Sequence, residues 1–279
     1  MSSQLDLGPG RPLTVMTEGG PIAALEAGPP DGSPVLLVPG YTGSKEDFGP
    51  LLGPMAGADL RAVTIDLPGQ FESPGPDDPA QYTPDALGAC LRAVAAQLGP
   101  NVQLLGHSFG GLVARAAVLG SPDTFASLVL MDSGPAALGG MRAQRIEQLR
   151  PYLPSLGVSG IYDASEAAAA AEPGYLPAPP DLAAFLRRRF LAGLPAMLLG
   201  MGDALLTEPD RVDELAAAGL PLLVLYGEHD DAWPPAVQAE MARRLDAECA
   251  VIAGAAHSPA VENVSATVEV LLNFWRAHR

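Results

Sequence analysis

The feature that most limits how this chain can fold is a serine set between a strand and a helix. Gly106-His107-Ser108-Phe109-Gly110 follows the run Val102-Gln103-Leu104-Leu105 and precedes the small-residue stretch Gly111-Leu112-Val113-Ala114-Arg115-Ala116-Ala117. In that context a G-x-S-x-G pattern predicts a sharp strand-to-helix turn, with the serine hydroxyl exposed above a sheet. The flanking glycines suit such a turn, because it brings other backbone where a Cβ would collide. The serine itself must take a strained conformation.

Apolar runs and helical periodicity alternate on both sides of this turn. Segments 13–16 and 22–25, joined through Glu18-Gly19-Gly20, predict an antiparallel hairpin at a sheet edge. Val35-Leu36-Leu37-Val38 is a solid apolar run of the kind buried on both faces of a parallel sheet. Phe48, Leu51, Leu52 and Met55 then recur at helical spacing, and Ala62-Val63-Thr64-Ile65 is the next strand. After a turn-rich loop over 68–79, Thr83 reads as an N-cap with Pro84 at the first helical position. Leu87, Leu91, Val94 and Leu98 form that helix's buried stripe, and Gly99-Pro100 ends it. Further strands are predicted at 128–131, 222–226 and 250–252, with helices near 236–245 and over Val264, Val268, Leu271, Leu272 and Trp275. Such alternation predicts right-handed βαβ units and a doubly wound, mostly parallel sheet of the α/β class.

The alternation stops between about Gly134 and Leu220. Segments 141–150, 165–171 and 181–199 have helical composition with prolines between them, and the last is expected to kink or break at Pro195. The predicted organisation is therefore a core made of 1–133 and 221–279, with 134–220 inserted as a helical cap. The chain has 279 residues, 48% hydrophobic and only 17% charged, which is ample material for a core. A formal charge of −16 leaves no basic patch to neutralise phosphates and argues against a nucleic-acid partner. No apolar run approaches the length of a membrane span, and residues 1–10 lack the basic and apolar regions of a secretory signal. Cys90 and Cys249 stand far apart outside any paired motif, as expected of free thiols in a cytoplasmic protein.

A serine hydroxyl is a poor nucleophile until a base takes its proton, and the resulting imidazolium needs an anion. His257, in Gly254-Ala255-Ala256-His257-Ser258-Pro259 just after the last strand, is the expected base. His229 is the weaker rival, His107 is read as structural with its side chain turned away from the site, and His278 as solvated. Asp230, after the strand ending at Tyr226, is the favoured acid; Asp132, after Met131, is the geometric alternative, and Glu228 and Asp231 are nearby rivals that more naturally face solvent or cap. Two backbone N–H donors are needed where an oxyanion develops. Phe109 follows the nucleophile and is one; Tyr41, in Pro39-Gly40-Tyr41-Thr42-Gly43-Ser44, is the natural second.

With these residues in order, the chain resembles the capped bacterial members of the α/β-hydrolase superfamily. The resemblance covers nearly the full length: loop 39–44, the Asp66-Leu67-Pro68-Gly69-Gln70 turn, the turn at 106–110, Asp230 and His257. It departs at Pro39-Gly40, where such proteins often carry His-Gly. The resemblance implies hydrolysis of an ester or related acyl bond of a small, largely apolar substrate through an acyl-enzyme, with no cofactor; no metal is expected, because no His, Asp or Glu cluster has ligand spacing on one helix or strand. Leu186, Phe190, Leu191, Leu194, Met197 and Leu198 of the cap are expected to line an apolar pocket. Ser108 argues against relatives that use an aspartate at this turn. Perhydrolases, C–C hydrolases, lactonases and thioesterases share the same set of side chains, and a non-catalytic ligand-binding protein on this fold is the rival from another class. The oligomeric state is open.

Overall fold

The structure, a computed structural model, describes residues 3–172 and 174–278. In chain order, β1 (Arg11–Thr17), β2 (Gly20–Ala27) and β3 (Ser33–Val38) lead to α1 (Gly49–Ala56) and β4 (Leu60–Ile65). Then come α2 (Pro84–Leu98), β5 (Val102–His107), α3 (Phe109–Gly120) and β6 (Phe125–Met131). Five helices follow without a strand: α4 (Gly140–Leu149), α5 (Leu153–Ala170), α6 (Pro180–Ala192), α7 (Pro195–Thr207) and α8 (Val212–Ala216). The pattern resumes with β7 (Leu222–Gly227), α9 (Pro235–Leu245), β8 (Glu248–Ile252), α10 (Pro259–Glu262) and α11 (Val264–Ala277).

The strands form one eight-stranded sheet in the order β1-β2-β4-β3-β5-β6-β7-β8. The β1–β2 hairpin is antiparallel and pairs antiparallel with β4, while every pairing from β4 to β8 is parallel. The apolar runs explain why helices cover both faces. Leu36 and Val38 point into one buried cluster with α2 and α3, whereas Val35 and Leu37 point into another with α1 and α11. Alternate side chains of a strand face opposite ways, so a run of four apolar residues must be buried twice over. Fully burying each such side chain stabilises the fold by about 1.5–3 kcal/mol.

Local signals set the helix ends. The Thr83 hydroxyl accepts from Ala86 N–H at 3.2 Å with Pro84 at the first position, as the sequence predicts, and Gly99 ends α2 with a φ of 119°. The segment between β6 and β7 departs from expectation in detail. Helix α5 is much longer than the predicted 165–171 and is interrupted at Gly157, whose φ is 65°. The segment 181–199 breaks just before Pro195, as expected, into α6 and α7, which meet at 94° across Gly193-Leu194. No single helix among the described residues is long and apolar enough to cross a membrane.

Candidate active site

Three strand ends deliver their side chains to one place. Ser108 occupies the turn between β5 and α3 with φ 55° and ψ −123°. This is a strained conformation for a non-glycine residue, and its neighbours hold it there. Ser108 N–H donates to the Met131 carbonyl at 2.9 Å, while Gly111 N–H and the Ser133 hydroxyl donate to the Ser108 carbonyl at 2.9 and 2.8 Å. A Cβ at Gly106 would strike the Gly110 carbonyl, and one at Gly110 would lie 2.5 Å from the carbonyl oxygens of Val38 and Pro39. Glycine is therefore required on both sides of the serine.

Asp230 lies in the turn after β7 and His257 in the loop after β8. His257 Nδ1–H donates to Asp230 Oδ1 at 2.7 Å, and His257 Nε2 lies 3.0 Å from Ser108 Oγ. A carboxylate only accepts, so Nδ1 carries the ring proton and Nε2 offers its lone pair to the Ser108 hydroxyl. Asp230 is held in turn: Ala232 N–H donates to Oδ1 at 2.9 Å and Gln238 Nε2 to Oδ2 at 2.7 Å. All three members of the chain are buried. The arrangement can move a proton from Ser108 to His257 and stabilise the resulting imidazolium. Asp132, Asp230 and His257 each bring an oxygen or nitrogen within 4.8 Å of one another. With Nδ1 donating to Asp230 and Nε2 turned to Ser108, His257 has no lone pair left for a metal between them.

Asp132 is the neighbour that does not take the acid's place. It is fully buried; its Oδ1 accepts Gly227 N–H at 2.9 Å and its Oδ2 has no hydrogen-bond partner. Burial, with the Asp230 carboxylate beside it, pushes the Asp132 carboxyl well above the ordinary carboxylate range. The folded protein then keeps a proton that the unfolded chain releases above about pH 4. The contribution of Asp132 to stability therefore falls as pH rises through the neutral range, by at most about 1.4 kcal/mol per pH unit. Asp132→Asn removes this penalty. Its melting temperature is expected to exceed that of the wild type at pH 8, with the difference vanishing near pH 4. Equal differences at both pH values would contradict a protonated Asp132.

The other candidates stand outside the hydrogen-bonded chain of Asp230, His257 and Ser108. His229 is exposed beside Glu228, His278 bonds Glu248 at 3.0 Å, and Asp231 pairs with Arg142 of α4 at 2.7 Å. His107, expected to turn away, instead lines the site because the loop carrying His257 crosses the end of β5. Its Nε2–H donates to the His257 carbonyl at 2.7 Å, and the ring centroids are 5.1 Å apart. Burial and the nearby His257 push its pKa down to about 4, so it holds the His257 backbone as a neutral ring. Gln238 is a residue that the sequence reading misses. A polar residue in register with Met241 and Leu245 on the buried face of α9 is the signal that could have found it.

Above Ser108 lies a cavity of about 910 Å³. Gly40, Tyr41, Ser108 and His257 form its polar end, and Ile146, Leu149, Leu153, Ile161 and Leu198 of α4, α5 and α7 its apolar walls. Of the predicted pocket residues, Phe190 and Leu198 line it, whereas Leu186, Leu191, Leu194 and Met197 do not. Leu194 and Met197 pack instead into the buried cluster that also holds Leu67 and Tyr82. The Tyr41 hydroxyl donates to the Leu198 carbonyl at 3.1 Å, tying the loop after β3 to α7. Among the described residues, the backbone N–H groups of Tyr41 and Phe109 donate to no protein acceptor.

Known proteins resemble this chain in sequence or in fold. A proline iminopeptidase of Lactobacillus delbrueckii subsp. lactis is 30% identical over 88% of this chain and 90% of its own. A shorter match, 35% identical, joins 38% of this chain to 40% of the RutD protein of Variovorax paradoxus, named for carbamate hydrolysis. Among solved structures, a thermophilic esterase from Thermogutta terrifontis superposes with a TM-score of 0.76 at 25% identity, covering 96% of this chain and 100% of that one. The enol-lactonase of Burkholderia xenovorans LB400 superposes at 0.78 with 19% identity, covering 95% and 100%. With the profile of the Alpha/beta hydrolase family matching residues 35–270, the chain belongs to that family.

Proposed function

We propose that the protein is a serine hydrolase that cleaves a carboxylic ester or related acyl bond of a small, largely apolar substrate through an acyl-enzyme. The hydrogen-bonded chain from Asp230 through His257 to Ser108 carries this reading. Ser108 Oγ attacks the acyl carbonyl as its proton passes to His257 Nε2, and Asp230 stabilises the imidazolium. The N–H groups of Tyr41 and Phe109 hold the oxyanion, which collapses as His257 gives its proton to the departing alcohol. Water, activated by the same histidine, then releases the acid. Helices of 134–220 act as the cap that walls the acyl pocket.

The cavity favours a neutral substrate over an amine. Its carboxylates Asp47, Glu172 and Asp231 are each paired with an arginine (Arg189, Arg145 and Arg142), so none is free to meet a substrate cation. The esterase and lactonase among the structural neighbours agree with acyl transfer to water.

The test is a series of nitrophenyl esters running from acetate to laurate. Turnover that rises with acyl length until the cavity is full, and that Ser108→Ala abolishes, is the expected result. A folded wild type that turns over none of them contradicts the proposal. In the same assay Asp230→Asn is expected to lower kcat by about 10⁴-fold, and Asp132→Asn to retain most of it. The reverse order would transfer the acid's role to Asp132.

A further inference from the structure

The loop after β3 is braced by a side chain from the loop after β4. Gln70 is 1% exposed and bridges two backbone groups: Leu67 N–H donates to its Oε1 at 3.1 Å, and its Nε2 donates to the Gly40 carbonyl at 2.7 Å. A donor on one side and an acceptor on the other leave the amide a single orientation. Its own backbone is fixed as well, since Gln70 N–H donates to the Leu67 carbonyl at 2.9 Å. The root of that loop is anchored by Asp66, which pairs with Lys45 Nζ at 2.9 Å in the interior.

The Gly40 carbonyl belongs to the same planar peptide as Tyr41 N–H, and in a trans peptide the two point in opposite directions. Gly43 N–H also donates to that carbonyl, at 3.0 Å, closing a turn in which Thr42 has a φ of 59°. A positive φ at a β-branched residue is costly, so the turn needs support. Gly40 and Tyr41 border the cavity over Ser108, whereas Gln70 does not; it holds the peptide from the far side. Gly40 sits directly on the serine, for a Cβ there would be 2.9 Å from Ser108 Cβ.

We propose that Gln70 is a positioning residue: by gripping the Gly40 carbonyl it keeps Tyr41 N–H aimed at the oxyanion that forms on attack by Ser108. This rests on the acyl-transfer reading above. Without that grip only the bond from Gly43 N–H, within the same strained turn, holds the carbonyl, and the Gly40–Tyr41 peptide gains freedom to rotate, which withdraws a donor and swings a carbonyl dipole toward the negative charge. The substrate carbonyl carries little charge before attack, so the loss falls on the transition state and not on substrate binding.

The experiment uses Gln70→Met, which keeps the length and removes the donor, and Gln70→Glu, which keeps the bond from Leu67 N–H. Each is assayed for kcat and KM on the best ester and for affinity toward a trifluoromethyl ketone, which forms the tetrahedral adduct. In Gln70→Met, kcat is expected to fall about 10- to 100-fold, with KM within about twofold and ketone affinity weakened by a similar factor. In Gln70→Glu, the ratio of its kcat to that of the wild type is expected to fall as pH rises and the introduced carboxyl ionises and ceases to donate. A purely structural role would move melting temperature without this split or this pH dependence. Full kcat in both variants at every pH, or a loss confined to KM, overturns the proposal. A wild type without esterase activity overturns the acyl-transfer reading instead.

Discussion

Ser108→Ala is expected to reduce ester hydrolysis by roughly 10⁴- to 10⁶-fold, and His257→Ala by a similar factor. Ser108 Oγ forms the new bond and His257 Nε2, 3.0 Å away, takes its proton. Neither function has a substitute nearby, because His107 faces the His257 carbonyl and its pKa is pushed far below neutrality. The double variant is expected to lose little more than either single one, since the two groups act as a unit. Losses that multiply in the double variant would show two independent roles. The fold should survive both changes. Replacing Ser108 leaves its strained backbone bonded through Met131, Gly111 and Ser133, none of which uses the hydroxyl.

The largest effect on stability is expected from Arg115→Met. Arg115 lies on α3 with its side chain 2% exposed, and it clamps both ends of the helical segment between β6 and β7. Its guanidinium donates to the Pro135 carbonyl near the start of that segment and to Glu208 Oε1 (2.7 Å) and the Pro209 carbonyl (3.3 Å) near its end. Glu208 is itself only 7% exposed at its side chain. Removing the arginine leaves a buried carboxylate unpaired, which costs about 3–5 kcal/mol. In a chain of this size that lowers the melting temperature by roughly 6–20 °C. Replacing both partners, as in Arg115→Met with Glu208→Leu, should recover much of the loss, because a well-packed apolar pair carries no desolvation penalty. A single variant that melts within a degree or two of the wild type would remove Arg115 from this role.

Much of this was legible in the sequence where local chemistry decides the outcome. Val35 to Val38 are apolar at every position because both faces of β3 are buried, and that pattern needs no partner to be read. Ser108 carries its own signature, since the glycines around it are required by contacts within the turn. Asp230 and His257 are legible by position, each in the first loop after a strand whose end the apolar run marks. What escapes is set by which loops the sheet order makes neighbours. Gln70 and Gly40 are 30 positions apart and meet because β4 lies beside β3. Nothing local distinguishes Gln70 from an ordinary turn residue. Which residues of 181–199 meet the cavity is a further case: a proline marks a break but not the angle after it, here 94°. Arg115 reads as one charge in a small-residue helix until Pro135, Glu208 and Pro209 close around it.

The measurement that bears most directly on the chemistry is intact-mass spectrometry after exposure to a fluorophosphonate, with Ser108→Ala as control. An activated serine attacks the phosphorus, expels fluoride and keeps the phosphonyl group. The result expected is a single adduct on the wild type and none on Ser108→Ala. A folded wild type that takes up no phosphonyl group, or an adduct that persists when Ser108 is replaced, would contradict an activated nucleophile at this turn.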